Sequence, residues 1–150
     1  MFIKYPIRFL LIVIFSKLHK FIYNITGGKL MGTLMGLPMI FLTTTGRVSN
    51  KPRTTPLTYL KDNDDFICVA SIGGYKKHPD WYLNLQKNNR LKINVKGKSF
   101  NAISKTIYGE ERSEIWKRVI QFYPGFKKYQ ERTAREIQIV RISIVRSNNV

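Results

Sequence analysis

The chain is poor in acid, histidine and cysteine. Nine Asp and Glu stand against twenty-six Lys and Arg, a formal net charge of +17. So lopsided a balance costs self-repulsion and favours anionic partners: nucleic acid, a lipid surface or a polyanionic small molecule. The single cysteine excludes an intrachain disulfide. It sits in the run Phe66-Ile67-Cys68-Val69-Ala70, which reads as a strand and makes it a buried structural thiol rather than a nucleophile. Two histidines, His19 and His78, lie far apart in sequence, so no metal site and no Ser/His/Asp triad is expected. The N-terminal apolar core, residues 9–15, falls short of the roughly 20 residues that a bilayer demands. Internal repeats and low-complexity stretches are likewise missing. What is present is ordinary for one folded domain: 150 residues, 43% of them apolar and 23% charged.

Residues 1–28 read apart from the rest. Ile7, Leu10, Leu11, Ile14, Leu18, Phe21, Ile22 and Ile25 follow helical spacing, while Lys4, Arg8, Lys17 and Lys20 add positive charge. No A-x-A cleavage site follows, which argues against a signal peptide. The expectation is an amphipathic helix that docks on the next domain or touches a membrane interface through residues 4–25, ended by Gly27-Gly28.

Residues 29–150 form the second unit. Strands are expected at 39–45, 54–61, 66–71, 91–95, 99–107 and 137–145, and helices at 79–87, 110–123 and 127–133. Asp62-Asn63-Asp64 and Lys96-Gly97-Lys98 supply hairpin turns. Six short antiparallel strands with interspersed helices argue for the α+β class, and they close most economically into a small barrel.

Two segments carry chemistry. In Thr43-Thr44-Thr45-Gly46-Arg47-Val48-Ser49-Asn50-Lys51-Pro52-Arg53 a strand delivers hydroxyls into a turn crowded with cations. Turn amides and arginine forks make a phosphate or carboxylate cradle, and Gly46 lets the backbone approach a ligand closely. In Ala70-Ser71-Ile72-Gly73-Gly74 a strand end opens into a glycine loop whose amides can face a ring or phosphate. A short helix follows, carrying Trp81 and Asn84 back towards the core.

Taken together, T-T-T-G-R-x-S-x-x-P-R-x-x-P, a hairpin, and A-S-x-G-G-x-x-x-x-P-x-W-Y-x-N-L resemble the deazaflavin-dependent nitroreductase family. A third block, Tyr123 to Ile137, is similar to that family's Y-x-x-Y-Q-x-x-T-x-R-x-I ending. The resemblance runs in order from about Ile40 to the last strand.

That resemblance implies a six-stranded antiparallel split β-barrel, of the kind FMN-binding pyridoxamine-phosphate oxidases use, holding coenzyme F420. It implies hydride transfer from the reduced cofactor to a quinone or nitroaromatic acceptor. The cofactor's polyanionic tail suits the charge of +17 without a specific nucleic acid partner. Arg47, Ser49, Lys51 and Arg53 are expected on the phosphate and tail, with Thr45, Gly46 and Pro52 in the same turn. Thr55 and Pro56 would line the path to the ring. Ala70, Ser71, Ile72, Gly73 and Gly74 would meet the deazaflavin edge, and Trp81 the anchoring region. Ser71 and Tyr129 are the candidate catalytic proton donors, while Tyr123, Phe126 and Tyr129 would form the acceptor wall. Val48 and Ile72 depart from the family pattern, standing where many relatives carry polar residues, which leaves FMN or another flavin-like ligand, bound with or without catalysis, as the alternative. The expected setting is cytoplasmic, extending to the inner face of the plasma membrane, as a monomer or homodimer.

Overall fold

The computed structural model describes residues 7–25, 33–34 and 36–146. The N-terminal periodicity forms α1 (Ile7–Ile25); the stop expected at Gly27-Gly28 lies outside the described residues. Eight strands follow: β1 (Thr33–Leu34), β2 (Leu37–Thr45), β3 (Pro52–Thr58), β4 (Leu60–Asp62), β5 (Asp65–Ala70), β6 (Arg90–Val95), β7 (Lys98–Ile107) and β8 (Gln138–Ile144). Helix α2 (Asp80–Lys87) separates β5 from β6, while α3 (Gly109–Phe122) and α4 (Gly125–Glu131) separate β7 from β8.

The α+β class and antiparallel pairing agree with the sequence; the six-strand count does not. The expected strand over 54–61 breaks at Tyr59, whose amide donates to Pro38 O at 3.2 Å and whose ring packs edge-on to Phe66 at 5.1 Å. Residues before the break pair with β2 and those after it with β5. A two-residue strand, β1, adds to the start of β2. The spatial order is β3-β2-β6-β7-β8-β5-β4. Its two edges, β3 and β4, are consecutive in the chain, so the sheet must curl until they meet at Tyr59. No ladder joins them among the described residues, so the sheet stays open there.

Alternation along the strands separates two cores. Phe66, Cys68 and Ala70 of β5 join Ile40, Leu42, Trp81, Ile93, Val140 and Ile142 in the first. Ile67 and Val69 point the other way, meeting Ile107, Ile115, Val119, Phe126, Ile137 and Ile139 beneath α3 and α4. A strand covered on both faces reads as an unbroken apolar run, which is why β5 showed no alternation in sequence. Burial pushes the Cys68 thiol up to about 12, leaving it protonated and inert. Helix α1 lies along β3 and seats buried His19 on Phe41, with ring centroids 5.6 Å apart. Among the described residues no helix is long and apolar enough to cross a membrane.

Candidate functional site

The cationic turn joins β2 to β3 and folds on itself. Gly46 N donates to Lys51 O and Asn50 N to Gly46 O, both at 2.8 Å. A Cβ on Gly46 would lie 2.6 Å from Ser49 Oγ and 3.2 Å from Lys51 O, so the turn closes tightly around the glycine. Ser49 Oγ in turn accepts from Lys51 N and from the Arg53 guanidinium, both at 3.3 Å. At the tip Val48 is 87% exposed. Among the described residues, the Val48 and Ser49 amides donate to no protein acceptor.

Helix α2 staples this turn from the side. Asn84 Oδ1 accepts from Arg47 N at 3.0 Å and from the Arg47 guanidinium at 3.3 Å, while Asn84 Nδ2 donates to Thr44 Oγ1 at 3.0 Å. Asp80 pairs with Arg47 at 2.8 Å, and Lys87 Nζ donates to Arg47 O at 2.8 Å. Positions 80, 84 and 87 share one helical face. These three residues were missed as site residues in the sequence. Their signal was present in the polar spacing i, i+4, i+7 on a helix whose other face is apolar.

The glycine loop leaves β5 at Ala70. Ser71 Oγ accepts from Gly74 N at 3.0 Å, and Tyr75 N donates to Ile72 O at 2.9 Å. Gly73 and Gly74 adopt φ of +57° and +81°, a region that side chains other than glycine's rarely enter. A Cβ on Gly74 would come within 2.5 Å of Tyr129 O, so the loop lies flush against α4. Here too two adjacent amides, those of Ile72 and Gly73, have no protein acceptor among the described residues. Ile12 of α1 reaches this loop: its Cδ1 is 3.6 Å from where a Gly73 Cβ would stand.

The aromatic wall is assembled around α4. Tyr123 and Tyr129 bring their hydroxyls to 3.4 Å, with ring centroids 6.2 Å apart. Gly125 makes room for it, since a Cβ there would sit 2.4 Å from the Tyr123 ring. Burial first, then the hydrogen bond shared with Tyr123, pushes the Tyr129 phenol up to about 12. Phe126 is buried in the second core, edge-on to both tyrosines at 5.2 and 5.9 Å.

The remaining expected site residues distribute as follows. Thr45 closes β2 opposite Pro52, and Thr55 and Pro56 pair with Leu42 and Phe41 in β3. Lys51 and Arg53 are exposed on the turn. Trp81 is buried in the first core against Tyr82. The structure thus gathers the turn around α2, and the glycine loop around α4 and α1.

A family model described as F420H(2)-dependent quinone reductase matches residues 15–143. An F420H(2)-dependent quinone reductase of Mycobacterium tuberculosis is 37% identical over 128 residues, covering 83% of this chain and 86% of that protein. A solved F420-H2 dependent reductase superposes with a TM-score of 0.65 at 34% identity, covering 71% of this chain and 94% of that one. A second solved structure, described as a domain-swapped dimer, superposes at 0.66 with 31% identity, covering 85% and 97% respectively.

Proposed function

The chain belongs to the F420H(2)-dependent quinone reductase family, and from that premise we propose that it reduces a quinone with reduced coenzyme F420 bound between the cationic turn and the glycine loop. The observation that carries this reading is the recurrence of one device in both segments: two consecutive backbone amides that meet no acceptor among the described residues, at Val48–Ser49 and at Ile72–Gly73. Such pairs suit anionic or carbonyl oxygens. Lys51 and Arg53 supply positive charge at the first, which fits a phosphodiester and oligoglutamate tail. The second is uncharged and fits a ring edge. The residues therefore fit the cofactor even though Val48 and Ile72 are apolar, because the backbone supplies the donors. The curled sheet with its open seam at Tyr59 supports the split-barrel description of the scaffold.

When bound, the reduced deazaflavin supplies a hydride; the protein supplies orientation and a proton. Ser71 Oγ accepts from Gly74 N, which leaves its own hydrogen to donate. Tyr129, like any phenol, holds its proton at neutral pH, and burial raises its pKa further, so its O–H can donate a hydrogen bond to an acceptor oxygen. Tyr123 extends the wall on which a quinone ring stacks, and nitroaromatics form the second acceptor class. Helix α1 leaves Leu11, Ile14, Phe15, Leu18 and Phe21 exposed beside Lys17, while Ile12 abuts the glycine loop. This supports α1 lying in a membrane interface at the inner face of the plasma membrane, where a lipid-soluble quinone is at hand. A homodimer is the proposed assembly.

Fluorescence titration with F420 and with FMN, followed by stopped-flow oxidation of reduced F420 by menadione, tests the reading. Saturable F420 binding and protein-dependent oxidation are expected. Binding of FMN but not F420 would remove the cofactor assignment and leave the fold, and equal oxidation with and without protein would leave a carrier. Sedimentation with anionic vesicles tests α1: Phe15→Ser with Phe21→Ser should abolish pelleting while F420 affinity stays within twofold.

A further inference from the structure

Two arginines beyond α4 reach back some sixty residues to the glycine loop. Arg135 donates from Nε to Tyr75 O at 3.3 Å and from one terminal nitrogen to Ala70 O at 3.2 Å; its other terminal nitrogen meets His78 Nδ1 at 3.4 Å. Arg132 donates to Gly73 O at 3.2 Å. Each nitrogen of the Arg135 fork therefore has its own acceptor, an arrangement no lysine can reproduce.

The effect on the loop follows from peptide geometry. In a trans peptide the carbonyl and the next residue's N–H point in opposite directions. Arg135 holds Tyr75 by its carbonyl, and Tyr75 N in turn fixes the carbonyl of Ile72 at 2.9 Å. With Ile72 O drawn towards Tyr75, the Gly73 N–H in the same peptide is turned the other way. Without such ties a Gly-Gly segment would sample many backbone states, and that freedom would be lost on binding. Gly74 also rests against Tyr129 O, so the segment presenting the amides packs directly on the helix carrying the candidate proton donor.

We propose that Arg132 and Arg135 are positioning residues that anchor the glycine loop to the exit of α4 and hold the Ile72 and Gly73 amides in the orientation that receives the cofactor ring. The inference rests on the proposed site for F420. The two arginines touch neither cofactor nor acceptor in this scheme; they act through the loop. Binding of the ring, rather than the acceptor step, is what they control.

The test uses the full chain with Arg135→Lys and Arg132→Gln, read by F420 fluorescence titration, by KM for menadione at saturating reduced F420, and by amide hydrogen exchange without cofactor. F420 affinity should fall about tenfold in Arg135→Lys and about threefold in Arg132→Gln, in line with loss of charge-assisted hydrogen bonds. KM for menadione should stay within twofold, and exchange at Gly74 and Tyr75 should quicken. Should Arg135→Lys fail to fold, Arg132→Gln decides alone, because Arg132 is exposed. Unchanged affinity, or unchanged exchange, in a folded Arg132→Gln protein overturns the proposal. If the wild type binds no F420, the assigned cofactor falls, while exchange at Gly74 and Tyr75 still decides whether the arginines hold the loop.

Discussion

Asn84 shows what a single residue can hide in a sequence. It is 4% exposed and serves three partners: the Arg47 amide, the Arg47 guanidinium and Thr44 Oγ1. The W-Y-x-N-L block marked the position, yet nothing in the spacing says which loop a buried amide will meet forty residues away. Asn84→Ala leaves the Arg47 amide short of a partner among the described residues, while the Arg47 guanidinium keeps Asp80 and Thr44 Oγ1 keeps Arg53 O, so it should cost about 2 kcal/mol in chemical denaturation and loosen F420 binding together with it. Its neighbour Asp80 tells the opposite story. At 84% exposure its pair with Arg47 adds little to stability, but it holds the turn's most constrained cation on a protein carboxylate. An anionic tail must compete with that carboxylate. Asp80→Asn should therefore tighten F420 binding about threefold at low ionic strength, a gain that fades as salt screens the exposed charges. Titrations at two salt concentrations measure both effects. Trp81, expected at the cofactor's anchoring region, lies buried in the first core.

Elements were legible where their pattern is local and obscure where it is not. The Lys96–Gly97 hairpin, with both residues at positive φ, sits where the turn chemistry put it. Residues 54–61 read as one strand because neither glycine nor proline stands at the break itself, Pro56 lying inside β3; the corner at Tyr59 is set by partners on opposite sheet edges, which only the curled topology reveals. The same holds for the glycine loop. Its two glycines announce flexibility, whereas the fold uses them for closeness, Gly74 against Tyr129 O and Gly73 beneath Ile12. Gly74→Ala combines an unfavourable φ of +81° with a backbone clash at 2.5 Å, neither of which a side-chain rotation relieves. It should cost about 2 kcal/mol or more in thermal or denaturant unfolding and displace α4 from the loop. A Gly73→Ala protein, where the nearest atom is a flexible Ile12 methyl at 3.6 Å, should lose less. Melting both variants side by side separates the clash from the φ penalty they share.

At the scale of the whole molecule the scarcity of acid becomes an ordering principle. Among the described residues, seven of the nine carboxylates are tied in ion pairs: Asp62, Asp64, Asp65, Asp80, Glu111, Glu114 and Glu136. Three of them converge on Arg141 of β8, which meets Asp62 at 2.6 Å, Glu111 at 2.8 Å and Asp65 at 3.2 Å, while Arg118 of α3 takes the other oxygen of Asp62 at 2.7 Å. Asp62 ends β4, the strand on the open side of the sheet. The network thus fastens the seam's free strand to β8 and α3, where backbone pairing stops. Hydrogen bonds from Arg118 and then Arg141 hold the Asp62 carboxyl below its ordinary 3.8. The folded protein therefore releases this proton more readily than the unfolded chain. Its contribution is fully present above pH 3.8 and is lost as pH falls through the lower folded value. Asp62→Asn should lower the melting temperature by a few degrees at pH 7, on the scale of about 1 kcal/mol for a domain of this size. The gap between variant and wild type should narrow below the ordinary carboxylate pKa, where the wild type loses the same charge. A gap that persists unchanged at the lowest pH at which both proteins stay folded would assign the loss to packing and leave the seam held by something other than these charges.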